Sequence, residues 1–221
     1  MRIVYVTHNG IGTALVRSQV LPYLRLLAAA GHEIDLVTFE RGDAYPEGEF
    51  PRDRWHAAYP RVGRSLLAKI ADILSGVWVV ARIARRRRAQ VLHARSYLPA
   101  AICWVVGLAL RLPYVFDMRG FLGEEYVDAG TWAPDDLRYR ALRLAERRLL
   151  RGAAAIVVLT PAAARRLRSE PRYVRDTRSK DITVIPCAVD LDRFRPPSSR
   201  SSIPTLVYSG SLGMWYLLDE M

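Results

Sequence analysis

Short, mostly apolar runs recur along this chain at Ile3 to Thr7, Ile34 to Phe39, Val91 to Ala94, Pro113 to Asp117, Ala154 to Leu159 and Ile182 to Ile185. A strand with one face in water alternates apolar with polar residues, whereas runs that skip the alternation are covered on both faces. Between them lie segments with helical spacing, such as Leu15, Val16, Val20, Leu24, Leu27 and Ala28. Strand and helix in turn specify an α/β domain built on a doubly wound parallel sheet. Right-handed crossovers then gather the functional loops at the carboxyl ends of the strands. A chain of 221 residues, 51% of them apolar, can bury such a core.

Local signals set the expected boundaries. Pro22 lacks an amide donor, which moves the expected start of the first helix toward Ser18 as its cap. Gly31-His32 ends that helix. Residues 40–63 are polar and rich in Pro, Gly and Arg, interrupted by Trp55 to Tyr59, and read as a long binding loop. From Ser65 to Arg85, Leu66, Leu67, Ile70, Ile73, Leu74, Val77, Trp78 and Ala81 form an apolar helical stripe expected to cover the sheet. Leu98 to Leu110 reads as a buried helix too short to span a bilayer, which takes about 20 apolar residues. Pro134 with Asp135 and Asp136 predicts another helix start, and Thr160-Pro161 a capped one.

Charge narrows the partners. Lys and Arg total 33 against 22 Asp and Glu, a net +11, and every cation but Lys69 and Lys180 is arginine. Such a surface attracts phosphates in nucleotides, nucleic acid or anionic lipid headgroups. No helix-turn-helix, zinc spacing or aromatic-basic sheet motif supports nucleic acid. Cys103 and Cys187 have no partners at metal-ligand spacing, so neither a metal site nor a disulfide framework is expected, in keeping with a reducing cytoplasm. Met1 to His8 reads as a strand rather than a signal peptide.

Four places carry candidate chemistry. The loop Asn9-Gly10-Ile11-Gly12-Thr13 puts Gly10 and Gly12 beside a helix amino terminus, where amides can receive an anion, although the third glycine of a dinucleotide fingerprint and the Lys-Ser/Thr of a P-loop are missing. His93, Arg95 and Ser96 leave the end of one strand. Asp117 and Arg119 leave another, followed by Gly123-Glu124-Glu125. Unpaired charge is costly to bury, so Asp117 and Arg119 face a cleft or each other. There Asp117 would orient an acceptor hydroxyl, and Arg119 would hold a phosphate in its planar fork. Finally, Arg85 to Arg88 end the apolar helix as a phosphate patch or a peripheral membrane patch.

Near its end the chain reads Val184-Ile185-Pro186-Cys187-Ala188-Val189-Asp190, then a Pro/Ser stretch, then Thr205 to Tyr208 running into Ser209-Gly210-Ser211-Leu212-Gly213. This order resembles the interdomain crossing of family 4 glycosyltransferases of the GT-B type, with Cys187 and Ala188 where Asn and Gly are usual. The resemblance implies a Rossmann-like amino-terminal, acceptor-side domain over 1–196, a linker over 197–204 and the start of a truncated donor domain over 205–221. It further implies retaining transfer of a hexosyl group from a nucleotide-sugar donor to a glycan or lipid-linked acceptor in polysaccharide biosynthesis. The nucleotide-sugar is then a co-substrate, no metal or other cofactor is required, and the fragment is inactive alone. Asp117, where many members carry a histidine contacting the transferred sugar, and Arg119 become the catalytic pair. Gly10, Gly12, His93, Arg95, Ser96, Gly210 and Ser211 become the substrate-binding set. Ser211 stands where members commonly carry an arginine for the donor diphosphate. The implied location is cytoplasmic, peripheral on the inner face of the plasma membrane. Two alternatives stay open at this level: a non-catalytic basic module binding nucleotide or nucleic acid, and an oxidoreductase domain, which the missing third glycine disfavours.

Overall fold

The computed structural model describes residues 1–40, 48, 50–58 and 66–189. The expected linker and expected start of a second domain, with Gly210 and Ser211, lie outside them. In chain order the elements are β1 (Arg2–Thr7), α1 (Ala14–Gln19), α2 (Leu21–Ala29), β2 (Glu33–Phe39), β3 (Trp55–Ala58), α3 (Leu66–Arg86), β4 (Val91–Arg95), α4 (Tyr97–Leu110), β5 (Tyr114–Met118), α5 (Leu122–Asp128), α6 (Leu137–Gly152), β6 (Ala155–Val158), α7 (Pro161–Ser169), α8 (Pro171–Thr177) and β7 (Asp181–Val184). The strands form one parallel sheet in the order β3-β2-β1-β4-β5-β6-β7. The order reverses between β1 and β4, where doubly wound sheets open a crevice at their carboxyl edge.

Each face has its own core. Val4, Val6, Leu92, Phe116, Ile156 and Val158 pack under α3, α4, α6, α7 and α8. Tyr5, Ile34 and Leu36 pack under α1 and α2 with Ile11, Val16 and Leu24. On this second face Tyr5 pairs with His93 in register, and Arg95 with Asp117, so polar groups follow the apolar ones toward the carboxyl edge.

Several boundaries differ from expectation. Thr13, not Ser18, caps the first helix: its hydroxyl accepts from the Val16 amide at 3.4 Å, while Ser18 bonds back to the Leu15 carbonyl. Pro22 divides the segment into two helices, because it fits only the first turn of α2. Gly31, at φ 84°, then closes α2 in a Schellman arrangement, its own amide reaching Ala28 O and that of His32 reaching Leu27 O. Leu137, rather than Pro134, opens α6, with the Asp136 carboxylate accepting from the Arg138 amide. The short helices α5 and α8 lack a long enough apolar period to announce themselves. From Ile73 onward the buried residues of α3 are Gly76, Val80, Ile83 and Ala84, whereas Leu74 and Trp78, expected in the core, are each 63% exposed; Leu66, Leu67 and Ile70 lie outside the described side chains. The apolar stripe is wider than the sheet requires, and leaving such a side chain in water forgoes about 1.5–3 kcal/mol.

Trp55 to Ala58, inside the expected loop, is the edge strand β3. A buried carboxylate clamps it. Asp35 on β2 accepts from Arg54 at 3.1 Å and pairs with His56 at 2.8 Å and with Arg87 beyond α3 at 3.0 Å. Burial pushes the Asp35 carboxyl up, but the His56 hydrogen bond and the Arg87 and Arg54 guanidiniums outweigh it and hold it below its ordinary value. A carboxyl held low in the fold contributes stability that is complete above its unfolded pKa of about 3.9 and vanishes as pH falls through the folded value. The melting temperature is therefore expected to drop on acidification below about pH 4, with a shallower drop in Asp35→Asn. Melts of both proteins across that range check it, and parallel curves would remove Asp35 from the acid response.

Candidate active site at the carboxyl edge

Of the sequence-predicted residues, His93, Arg95, Asp117 and Arg119 come together at this edge. Asp117 lies at the end of β5 with only 5% exposure, and Arg95 ends β4 equally buried. Arg119, one residue past β5, donates from Nη1 to Asp117 Oδ1 at 3.3 Å and from Nη2 to Gln19 Oε1 at 3.1 Å. Arg95 Nη2 donates to that same Gln19 oxygen at 2.8 Å. Two guanidiniums thus converge on one neutral carboxamide oxygen, with one carboxylate beside them. Arg95 Nε is buried without a hydrogen-bond partner.

The electrostatics follow from this crowding. Burial raises the Asp117 carboxyl, but the His93 ring, with Nε2 3.9 Å away, and the Arg119 and Arg95 guanidiniums outweigh burial and hold it below its ordinary value. Burial and the Arg119 charge lower the Arg95 pKa. Like charges held together in a desolvated place attract an anion. Beside them Tyr5 stacks on His93 with ring centroids 4.5 Å apart, and burial raises its phenol above the ordinary value.

Arg119 stands between two pockets. One, of about 260 Å³, is lined by Tyr5, Tyr23, His93, Asp117, Arg119 and Ile185. The other, of about 400 Å³, lies across the ends of β5 and β6 and is lined by Arg119, Phe121, Glu124, Glu125, Asp128 and Arg166 among others. An aromatic face with carboxylates around it suits the apolar face and hydroxyls of a sugar. Gly120 permits this, since a Cβ there would lie 1.9 Å from Glu125 Oε1. Burial and neighbouring Asp128 raise the Glu125 carboxyl.

The remaining predicted residues fall into place unevenly. Ser96 has φ 74°, strained for a residue with a side chain, and joins the site only through its amide, which donates to Asp117 O at 2.9 Å. The Gly10 and Gly12 loop does not form an open amide nest. Glu40 Oε1, at the end of β2, takes the Ile11 amide at 2.7 Å and the Thr38 hydroxyl at 2.5 Å, and Glu40 Oε2 would lie 2.6 Å from a Cβ on Gly10. The chain's own carboxylate thus occupies the loop, because β2 delivers it there. Glu40 was legible by the rule that singled out Asp117, a charge directly after an apolar strand; nothing in the sequence marks Gln19. Cys187 accepts from Arg119 Nη2 at 3.3 Å, which places the crossing segment against the site. Among the described residues no group of three His, Cys, Asp or Glu could hold a metal ion.

The strand order of the sheet reverses with Arg95 and Arg119 at its carboxyl edge, the place where doubly wound α/β domains open their ligand crevice. Residues 18–193 match the profile of Glycosyltransferase Family 4, and the chain belongs to that family. Its fold is that of GT-B glycosyltransferase domains. It is similar to sucrose-phosphate synthase from Thermosynechococcus elongatus, with TM-score 0.65 and 17% identity over 90% of this chain and 51% of that one. It is also similar to the lipopolysaccharide outer core galactosyltransferase WaaB in its apo form, with TM-score 0.54 and 7% identity over 83% and 45%. A third likeness is TcCGT1, solved in complex with UDP, with TM-score 0.53 and 10% identity over 94% and 53%. The chain thus spans about half the length of these solved proteins. Comparison with curated proteins gives no match.

Proposed function

We propose that this chain is the acceptor-side domain of a retaining glycosyltransferase that moves a hexosyl group from a nucleotide-sugar to a glycan or lipid-linked acceptor in polysaccharide biosynthesis. The observation that carries the reading is the meeting of Arg95 and Arg119 on Gln19 beside Asp117. As the bond from the sugar to the diphosphate breaks, negative charge collects on the leaving oxygens. Fixed guanidinium donors in a desolvated edge stabilise it without reorganising. The ionised Asp117 accepts a hydrogen bond from the attacking hydroxyl and orients it, while His93 and Tyr5 shape the wall of that pocket. Phe121, Glu124 and Glu125 hold the rest of the acceptor. UDP in the TcCGT1 complex supports a nucleoside diphosphate as the leaving group. The reading requires no resident cofactor and places the protein in the cytoplasm, peripheral on the inner face of the plasma membrane.

The test compares the two-domain enzyme with this chain alone. The former should release nucleoside diphosphate from a nucleotide-sugar and give a product with the donor's anomeric configuration; the latter should give no turnover. An inverted product, or turnover by the chain alone, would overturn the corresponding part. RNA or DNA binding that weakens with salt, with no transfer by the two-domain enzyme, would favour a binding module instead.

A further inference from the structure

We propose that the outer stripe of α3 docks on an anionic phospholipid bilayer, with a headgroup phosphate in the basic groove between α3 and β3. Leu74 and Trp78 are exposed, and Arg82, Arg85 and Arg86 are exposed further along the helix. Steps of three and four residues put Leu74, Trp78, Arg82 and Arg85 on one face. The opposite face, with Val80, Ile83 and Ala84, is buried against the sheet, so the helix is fixed with this stripe outward.

The stripe has the chemistry of a membrane interface. Trp78 offers an amphipathic ring and Leu74 an apolar tip, and the arginine stems can lie along the acyl boundary with their heads at phosphate level. Arg82 Cζ lies 5.4 Å from the centre of the Trp78 ring. Among the described residues no carboxylate pairs with Arg82, Arg85 or Arg86, whereas Arg87 is engaged by Asp35 and the Asp53 carbonyl. A groove of about 260 Å³, lined by His56, Trp78, Arg82, Arg86 and Arg87 among others, gives those arginines a common ligand position of headgroup size. No described helix is long and apolar enough to cross a membrane.

Other occupants fit less well. A second copy meeting this stripe about a two-fold axis would set arginines against arginines. Nucleic acid has no use for Leu74, and Arg82 already covers the Trp78 ring on which a base would stack. The surface shares no residue with the two pockets at the carboxyl edge; the inference rests on the peripheral location proposed above and not on the transfer chemistry.

Sedimentation of the full chain with vesicles tests it without any sugar. Binding is expected to vesicles of phosphatidylglycerol mixed with phosphatidylcholine and to be much weaker with phosphatidylcholine alone. Neutralising Arg82, Arg85 and Arg86 together as glutamines should lower partitioning roughly a hundredfold, about fivefold for each charge. Trp78→Ser should weaken binding while leaving the melting temperature unchanged, because the ring is outside the core. Equal binding by the triple variant, or binding to polyuridylate but not to vesicles, would overturn the proposal. So would a dimer abolished by Trp78→Ser without vesicle binding.

Discussion

Replacing Arg119 by alanine in the two-domain enzyme is expected to lower kcat by about 10²–10³, the usual effect of removing one preorganised donor to a developing anion. The effect on stability should be near 1 kcal/mol, the net contribution of an ordinary hydrogen bond. Arg119 is partly exposed and its contacts are long, at 3.1 and 3.3 Å, while its removal relieves the repulsion that lowers the Arg95 pKa. Lysine should restore little, since a point charge cannot reach Asp117 and Gln19 through two separate nitrogens as the planar fork does. Steady-state rates and a thermal melt on the same preparation separate the two quantities. Unchanged kinetics would take Arg119 out of the reaction; rate and stability collapsing together would make it a structural member of the edge.

A much larger stability effect is expected at Glu146. On α6, it is 1% exposed, and its carboxylate faces Tyr97 of α4. Oε2 lies 2.7 Å from Tyr97 Oη, Oε1 takes Arg143, and Arg143 Nη1 donates to Tyr173 Oη at 2.8 Å with its guanidinium over the Tyr173 ring. Burial raises the Glu146 carboxyl, outweighing Arg143 and Tyr97. Glu146→Ala leaves the partly buried Arg143 without its carboxylate partner, and breaking a buried pair from one side costs about 3–5 kcal/mol. Glutamine keeps an acceptor for Tyr97 and should lose less. Tyr97 Oη also contacts Gly120 O at 3.1 Å and accepts from the Leu122 amide at 3.3 Å, so the loss reaches the loop after Arg119. Denaturant unfolding of the three proteins gives the numbers, and a loss below about 1 kcal/mol for alanine, the range of an exposed pair, would show that the network stabilises nothing.

The sheet was legible because full burial on both faces leaves a mark that each strand carries alone: β1, β2, β4, β5, β6 and β7 all fall on the expected runs. β3 was not, since an edge strand held by Asp35, Arg54 and His56 has the composition of a loop. The α3 stripe misled because periodicity reports which residues share a face, while the neighbours decide how much of that face is covered. At the site, Asp117, Arg119 and Arg95 were readable as charges at strand ends. Their meeting on Gln19, 76 and 100 residues away along the chain, depends on how Pro22 divides α1 from α2. The glycine loop looked open because the residue that fills it, Glu40, comes from the next strand over.

The bond of Gln19 to both arginines has a further consequence. A carboxamide oxygen carries dipole but no formal charge, so it keeps Arg95 and Arg119 aimed at a common point without neutralising them. A phosphate entering there would displace a neutral placeholder, which costs far less than breaking a second buried ion pair. Resting cohesion and incoming-ligand affinity are thereby decoupled, and the vacancy for charge is kept without an empty space.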